Sequence, residues 1–235
     1  MHKGKIFCIG FNRCGTNSIK TFLKKLGYRA THDPHWWYWK INKIDKFNRF
    51  DAFTDGFEGY KKKSVFPNLN FLDAQFPNSK FIVNTRSLRR WLVSRYRHGS
   101  PTYLKSHNTN QIDSSVFSAW TKDRNNWYTE IENYFKEKNN LLIANIEDSK
   151  CANIIANFLG SSETFERLPH ENNTADPEYH KKGEGFDWIG YPHLNGRESL
   201  TGEKIKSEIN NFLEDNVKRS DWDSTWTCEL LNDKS

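Results

Sequence analysis

Apolar residues along this chain fall into two kinds of pattern, continuous runs and helical spacing. Largely apolar runs, typical of strands buried on both faces, occupy residues 5–9, 80–85 and 141–146, and residues 50–54 are a further short strand candidate. Apolar residues recur every three or four positions at 19–26, 69–76, 88–92, 117–134 and 154–159. This alternation predicts an α/β fold with three α/β/α layers around a central, mainly parallel sheet.

Three stretches depart from the simple alternation. Arg124 interrupts the apolar stripe of the long helix predicted at 117–134, and a polar loop near 98–112 is too long for a passive connection. The aromatic block at 36–39 is predicted to be helical and partly buried. No internal repeat divides the chain, so we expect one domain over residues 1–235. Its regular core covers about 4–160, and the segment 161–235 is less regular until a helix around 203–217.

Charge and cysteine usage narrow the function classes. The 235 residues carry a formal charge of +6, which favours an anionic ligand or partner. The lysines at 61–63 form the densest basic block, which is too little to predict a nucleic-acid partner. The four cysteines show no metal-ligand spacing, so no metal site is expected. Without a signal peptide or an apolar run of membrane-spanning length, we expect a soluble, cytoplasmic protein.

The turn after the first strand carries the first candidate chemistry. A strand that leads directly into a helix exposes backbone N–H groups, and the helix dipole favours an anion there. Gly15 permits close approach of an anion, and Arg13 can bind two of its oxygens. Such a P-loop-like strand–loop–helix can also be purely structural. Because Thr16 follows Gly15, the G-x-x-x-x-G-K-[ST] signature is absent, which disfavours Mg²⁺-dependent nucleotide hydrolysis.

Two segments together resemble one family. Residues 13–28, RCGTNSIKTFLKKLGY, resemble the loop with which sulfotransferases hold the 5′-phosphosulfate of PAPS (3′-phosphoadenosine 5′-phosphosulfate). Residues 80–98, KFIVNTRSLRRWLVSRYRH, resemble the strand–turn–helix of that family that grips the 3′-phosphate. The family places an arginine at the strand end and a serine eight residues later, which here are Arg86 and Ser94. The resemblance covers about residues 4–160.

A third segment is only faintly similar. Residues 181–188, KKGEGFDW, are compared with the family's R-K-G-x-x-G-D-W, where Lys181 replaces the arginine and Phe186 replaces the later glycine. A solvent-exposed loop is the alternative interpretation. With this segment included, the resemblance implies these cofactor-binding residues: Arg13, Cys14, Gly15, Thr16, Asn17, Ser18, Arg86, Ser94, Lys181, Lys182 and Gly183.

The resemblance also implies a reaction. PAPS would be the co-substrate and PAP the product, with metal-free, in-line transfer of a sulfuryl group to a hydroxyl or amine. Arg13 stands where many relatives have lysine. An arginine guanidinium keeps its proton in proteins, so Arg13 is expected to stabilise charge and not to act as a general acid.

The acceptor's proton needs a base, which must be His, Glu or Asp near the transferring sulfur. Asp55, at the end of the strand candidate 50–54, is the first candidate, although a turn or helix-capping role is also open. His32 is the second candidate. Four further rivals are Asp33, His35, His98 and His107. The predicted catalytic residues are therefore Arg13, Asp55 and His32.

Two other functions stay open. A P-loop kinase of a small molecule would need Mg²⁺-dependent ATP binding, and a non-catalytic module would bind PAP without turnover. The acceptor is not readable from the sequence, because the aromatic block at 36–39 suits sugar stacking as well as core packing. A carbohydrate is one possible acceptor.

Overall fold

The computed structural model describes residues 4–32, 48–55, 68–98, 114–170, 209–212 and 229–230. The strands are β1 Ile6–Cys8, β2 Ala30–His32, β3 Ala52–Thr54, β4 Lys80–Thr85, β5 Leu141–Asn145 and β6 Glu229–Leu230. The helices are α1 Thr16–Lys25, α2 Leu69–Gln75, α3 Leu88–His98, α4 Ser114–Phe135 and α5 Cys151–Phe158.

The strands form one sheet in the order β2-β3-β1-β4-β5-β6. The first five are parallel, with Phe7 of β1 opposite both Phe53 of β3 and Phe81 of β4. β6 pairs antiparallel with β5. The predicted mainly parallel sheet is therefore confirmed. The carboxyl ends of the parallel strands meet at one edge, where ligands bind in folds of this class.

Helices cover both faces of the sheet. Phe7 and Ile9 of the first strand region pack in a core cluster with side chains of α2, α3 and α4. Ile6 and Cys8, which point the other way, pack in a second cluster with α1 and α5. The side chains of a strand alternate between its two faces, so the two clusters define the three layers that the sequence predicted.

Three local features surround the first helix. Gly15, with a φ of 72°, occupies the N-cap position of α1. The segment after Tyr28 forms the short strand β2. Gly27 has a φ of 82° just after α1, as expected for a glycine that ends a helix.

Other predictions fall on residues that the structure does not describe. The aromatic block 36–39, the lysines 61–63, the loop at 99–112 and most of the helix at 203–217 lie outside the described residues. Within the segments that are described, no helix combines the length and apolar character that crossing a membrane requires.

Candidate functional site

Buried side chains on the core side of the turn between β1 and α1 make hydrogen bonds to its backbone. Asn84, a buried residue of β4, donates through Nδ2 to the carbonyl oxygens of Cys14 (3.0 Å) and Phe11 (3.4 Å). Its Oδ1 accepts from the backbone N–H of Gly10 at 3.1 Å. Asn84 therefore fixes the start, middle and end of the turn against β4.

Two tryptophans add to this support. Trp91 of α3 donates its indole N–H to the carbonyl of Asn12 at 3.0 Å, and Trp127 of α4 donates to that of Ile9 at 2.8 Å. Both rings are buried. The carbonyls of the turn are thus bound on the core side. The first backbone N–H groups of α1 have no intrahelical acceptor, which suits them to bind an anion.

Close packing explains the two glycines of the turn. A Cβ atom on Gly10 would lie 1.9 Å from the carbonyl oxygen of Asn84, so any side chain at this position would clash with the backbone of β4. A Cβ on Gly15 would lie 2.7 Å from Cδ1 of Ile146, and the φ of 72° there favours glycine. Arg13 also has a left-handed φ of 66°. The glycines thus permit the tight approach of the turn to β4 and β5.

Three predicted cofactor-binding residues meet at this turn. Arg86, directly after β4, donates from Nη1 to the carbonyl oxygen of Arg13 at 3.3 Å. Arg13 donates from Nε to Oγ of Ser94, on α3, at 3.3 Å. These contacts join sequence positions 73 and 81 residues apart. The two segments that carry the family resemblance therefore form one site at the carboxyl edge of the sheet.

Glu147 is a member of this site that the sequence reading missed. It follows β5, and its Oε1 accepts from Nε of Arg86 at 3.3 Å while its Oε2 accepts from the backbone N–H of Ser87 at 3.2 Å. Nη1 of Arg90 lies 3.6 Å from Oε1. A carboxylate just beyond a buried strand was the available signal. Glu147 fixes the Nε edge of Arg86 and caps the start of α3.

The two predicted acid–base residues are neighbours. His32 ends β2 and Asp55 follows β3, and His32 is paired with Thr54 in the sheet. Nε2 of His32 lies 3.4 Å from Oδ2 of Asp55 and 2.9 Å from Oγ1 of Thr16, the first residue of α1. Both side chains are mostly buried. The parallel pairing of β2 and β3 thus brings His32 and Asp55 beside the turn.

Of the rival bases, Asp33, His35 and His107 lie outside the described residues, and His98 is the last residue of α3. Lys181, Lys182 and Gly183 also lie outside them, so these three remain predictions. Among the residues with described positions, no three His, Cys, Asp or Glu side chains are grouped to hold a metal ion.

Two buried arginines lie beneath the turn. Arg95 of α3 donates from Nη1 to Oδ1 of Asn12 at 2.8 Å. Arg124 of α4 donates from Nη2 to the carbonyl oxygen of Arg86 at 2.9 Å. Both guanidinium groups stack near the ring of Trp91, at 5.2 and 5.5 Å. The sequence reading noted Arg124 only as an odd member of an apolar stripe.

Burial and the surrounding charges both affect the pKa of the Cys14 thiol. Burial raises the pKa of its thiol to about 11, while the positive charges of Arg124, Arg86 and Arg95 act in the opposite direction. The thiol is therefore protonated at neutral pH. Its backbone N–H donates to the carbonyl oxygen of Phe11 at 3.3 Å, so this group serves the turn itself.

A family model and a solved structure are similar to this chain. A family model described as a sulfotransferase domain matches residues 5–122, half of the chain. The crystal structure of a sulfotransferase from Alicyclobacillus acidocaldarius aligns with 88% of this chain and 100% of its own, at 13% identity and a TM-score of 0.48. No curated protein sequence matches the chain.

Proposed function

This chain belongs to the sulfotransferase family, and we propose that it transfers the sulfuryl group of PAPS to a hydroxyl or amine of an acceptor. The observation that carries the proposal is the junction of Arg13, Arg86 and Ser94 at the carboxyl edge of the sheet. In that position, one site can bind both ends of a nucleotide that carries a 5′-phosphosulfate and a 3′-phosphate.

The turn is suited to the 5′ end of the donor. The N–H groups at the start of α1 and the guanidinium of Arg13 favour negative charge at this point. Sulfuryl transfer places charge on the equatorial and bridging oxygens, and fixed donors stabilise such charge without reorganising. Arg13 thus stabilises the transferring group and its leaving oxygen.

Arg86 and Ser94 are suited to the 3′-phosphate. Arg86 uses Nε toward Glu147 and Nη1 toward the backbone of Arg13, and within the described residues its Nη2 makes no hydrogen bond. The guanidinium is therefore oriented while one nitrogen remains for a ligand. The hydroxyl of Ser94, which already accepts from Arg13, can donate to a phosphate oxygen.

His32 and Asp55 are suited to remove the acceptor's proton as a pair. The Asp55 carboxylate can accept the Nε2–H of His32 and thereby hold the imidazole in one tautomer, as carboxylates do for catalytic histidines. One group of the pair takes the proton as the acceptor oxygen or nitrogen attacks sulfur and the S–O bond to PAP breaks. The contact of His32 with Thr16 supports this role, because Thr16 begins the helix whose N-terminus is proposed to hold the sulfuryl group.

Nucleotide binding tests the proposal first. We expect PAP to raise the melting temperature of the full chain and Arg86→Ala to abolish most of the rise. Arg89→Ala is the matched control, because Arg89 is exposed on α3, three residues after Arg86, and its Nε donates to Oδ1 of Asn210. If millimolar PAP leaves the melting temperature of the unaltered chain unchanged, the proposal is wrong.

Turnover tests the second part. Labelled PAPS with a panel of hydroxyl and amine acceptors, including carbohydrates, should yield a labelled product. Asp55→Asn and His32→Asn should retain PAP affinity and lose transfer. PAP binding with no transfer to any acceptor would favour a non-catalytic module, and Mg²⁺-dependent ATP binding without PAP binding would favour a kinase.

A further inference from the structure

Arg124 is a buried charge that the proposed reaction does not use. It lies on α4 among aromatic residues, with a fully buried side chain. The apolar stripe of α4 continues on both sides of it, with Trp120 and Trp127 at neighbouring positions of the helix face. An apolar side chain would satisfy the packing pattern at this position.

The guanidinium of Arg124 is only partly satisfied. Nη2 donates to the carbonyl of Arg86 (2.9 Å) and to Oγ1 of Thr85 (3.4 Å). Nε and Nη1 are buried without a hydrogen-bond partner, and in the described part of the chain no carboxylate pairs with this group. The rings of Tyr128 and Trp91 lie 5.1 and 5.5 Å from its Cζ and offset part of the charge.

Such an arrangement opposes folding. A buried charge without a full set of partners costs stability, and an apolar group of similar volume is often neutral or stabilising in its place. Packing alone therefore does not explain the charge of Arg124, whereas a nearby bound anion would compensate it. The anion-binding turn lies directly above it.

Three features link Arg124 to that turn. Its hydrogen bond goes to the carbonyl of Arg86, the residue whose side chain is proposed to hold the 3′-phosphate. It shares the ring of Trp91 with Arg95, and both Trp91 and Arg95 bind Asn12 of the turn. The positive charge of Arg124 also acts to lower the pKa of the Cys14 thiol in the turn, against the larger effect of burial.

We propose that Arg124 is a positioning residue of the nucleotide site. Its buried positive charge makes the turn attractive to an anion without touching the ligand, and its hydrogen bond fixes the backbone of Arg86. The proposal rests on the proposed function for the identity of the nucleotide, although the electrostatic effect applies to any polyvalent anion in the turn.

The test separates a role in binding from a role in folding. In the full chain, Arg124→Met removes the charge at similar volume, and Arg124→Lys keeps it. Urea denaturation measures stability without ligand, and calorimetry measures the Kd for PAP. We expect Arg124→Met to unfold at the same or a higher urea concentration and to bind PAP about 30-fold more weakly. Arg124→Lys should recover most of the affinity.

One combination of results would contradict the positioning role of Arg124. A loss of ligand-free stability in Arg124→Met with unchanged PAP affinity would overturn the proposal, because it is the result for a purely structural residue. If Arg124→Met does not fold, Arg124→Gln, which keeps a donor for the carbonyl of Arg86, takes its place with the same criteria. The exposed Arg89→Met is the control for loss of one positive charge on the molecule.

Inorganic pyrophosphate separates this inference from the proposed function. If the unaltered chain binds pyrophosphate but not PAP, the proposed donor is wrong, and the inference stands only if Arg124→Met weakens pyrophosphate binding. If the unaltered chain binds PAP and Arg124→Met binds it equally well, the proposed function stands and the inference fails.

Discussion

Replacing Asn84 by alanine removes the link between β4 and the turn that joins β1 to α1. The amide makes three hydrogen bonds, to the N–H of Gly10 and to the carbonyls of Phe11 and Cys14. Asn84 is fully buried, so water cannot take its place without a rearrangement of the turn. The variant Asn84→Ala leaves these backbone groups without their side-chain partner.

The magnitude follows from the two shorter bonds, at 3.0 and 3.1 Å. A buried backbone group left without a partner costs about 1–3 kcal/mol, so two cost about 2–6 kcal/mol. Whole domains are stable by about 5–15 kcal/mol, so this is a large fraction of the total. For a chain of this size, each kcal/mol lowers the melting temperature by about 2–4 °C, and the expected fall is about 4–24 °C.

Urea denaturation followed by tryptophan fluorescence measures this change. Asn157→Ala is the matched control, since Asn157 is exposed on α5, and we expect it to change stability by less than about 0.5 kcal/mol. A loss below about 1 kcal/mol in Asn84→Ala would refute the reasoning. It would mean that the turn keeps its conformation without support from β4.

Three further predictions follow from individual contacts. Glu147→Ala removes the acceptor that holds Nε of Arg86, so calorimetry should show that PAP binds about tenfold more weakly. The affinity for AMP, which lacks the 3′-phosphate, should change little, and equal weakening of both ligands would contradict a role of Glu147 through Arg86. Cys14 is buried and burial raises its pKa to about 11, so in the folded chain it should resist alkylation by iodoacetamide at pH 8 and react only after unfolding. Mass spectrometry of peptides measures the labelling, and rapid labelling of the folded chain would contradict the burial of Cys14. The side-chain hydrogen bond from Arg29 lowers the pKa of Asp51 to about 2, so its contribution to stability is present above the unfolded value near 3.8 and is lost as the pH falls toward 2. Asp51→Asn should therefore reduce the dependence of the melting temperature on pH in this window. The reduction should be small because Arg29 is largely exposed and solvent screens the pair, and an unchanged dependence would exclude this contribution.

The fold was predictable where burial alone determines the local pattern. The centre of the run at 80–85, residues 81–83, is apolar because β4 is covered on both faces, and the observed strand has the predicted bounds. Strand β2 carries no such run. Its three residues are a strand because β3 pairs with them, and pairing partners distant in sequence leave no local signal.

The same limit applies to the site. Arg86 and Ser94 were chosen because their spacing within one strand–turn–helix resembles a known family. The structure brings both to the turn, and their role in binding a nucleotide stays a prediction. The roles of Asn84 and Glu147 depend on contacts with residues 60 to 74 positions away. An asparagine in a buried strand and a carboxylate after another were visible as polar exceptions, but the sequence did not give their partners. The roles predicted for Arg13, Asp55 and His32 stay predictions until they are measured.

The hydrogen bonds that core side chains make to the turn have a consequence for synthesis on the ribosome. The side chains that bind its carbonyls lie 70 to 118 residues after the groups they bind, with Trp127 as the most distant. At roughly 5–20 residues per second, the last of these donors is polymerised about 6 to 24 s after the turn itself. The nascent turn therefore lacks its scaffold during this interval, and we expect the growing chain to acquire affinity for nucleotide only after α4 has emerged and packed against β1 and β4.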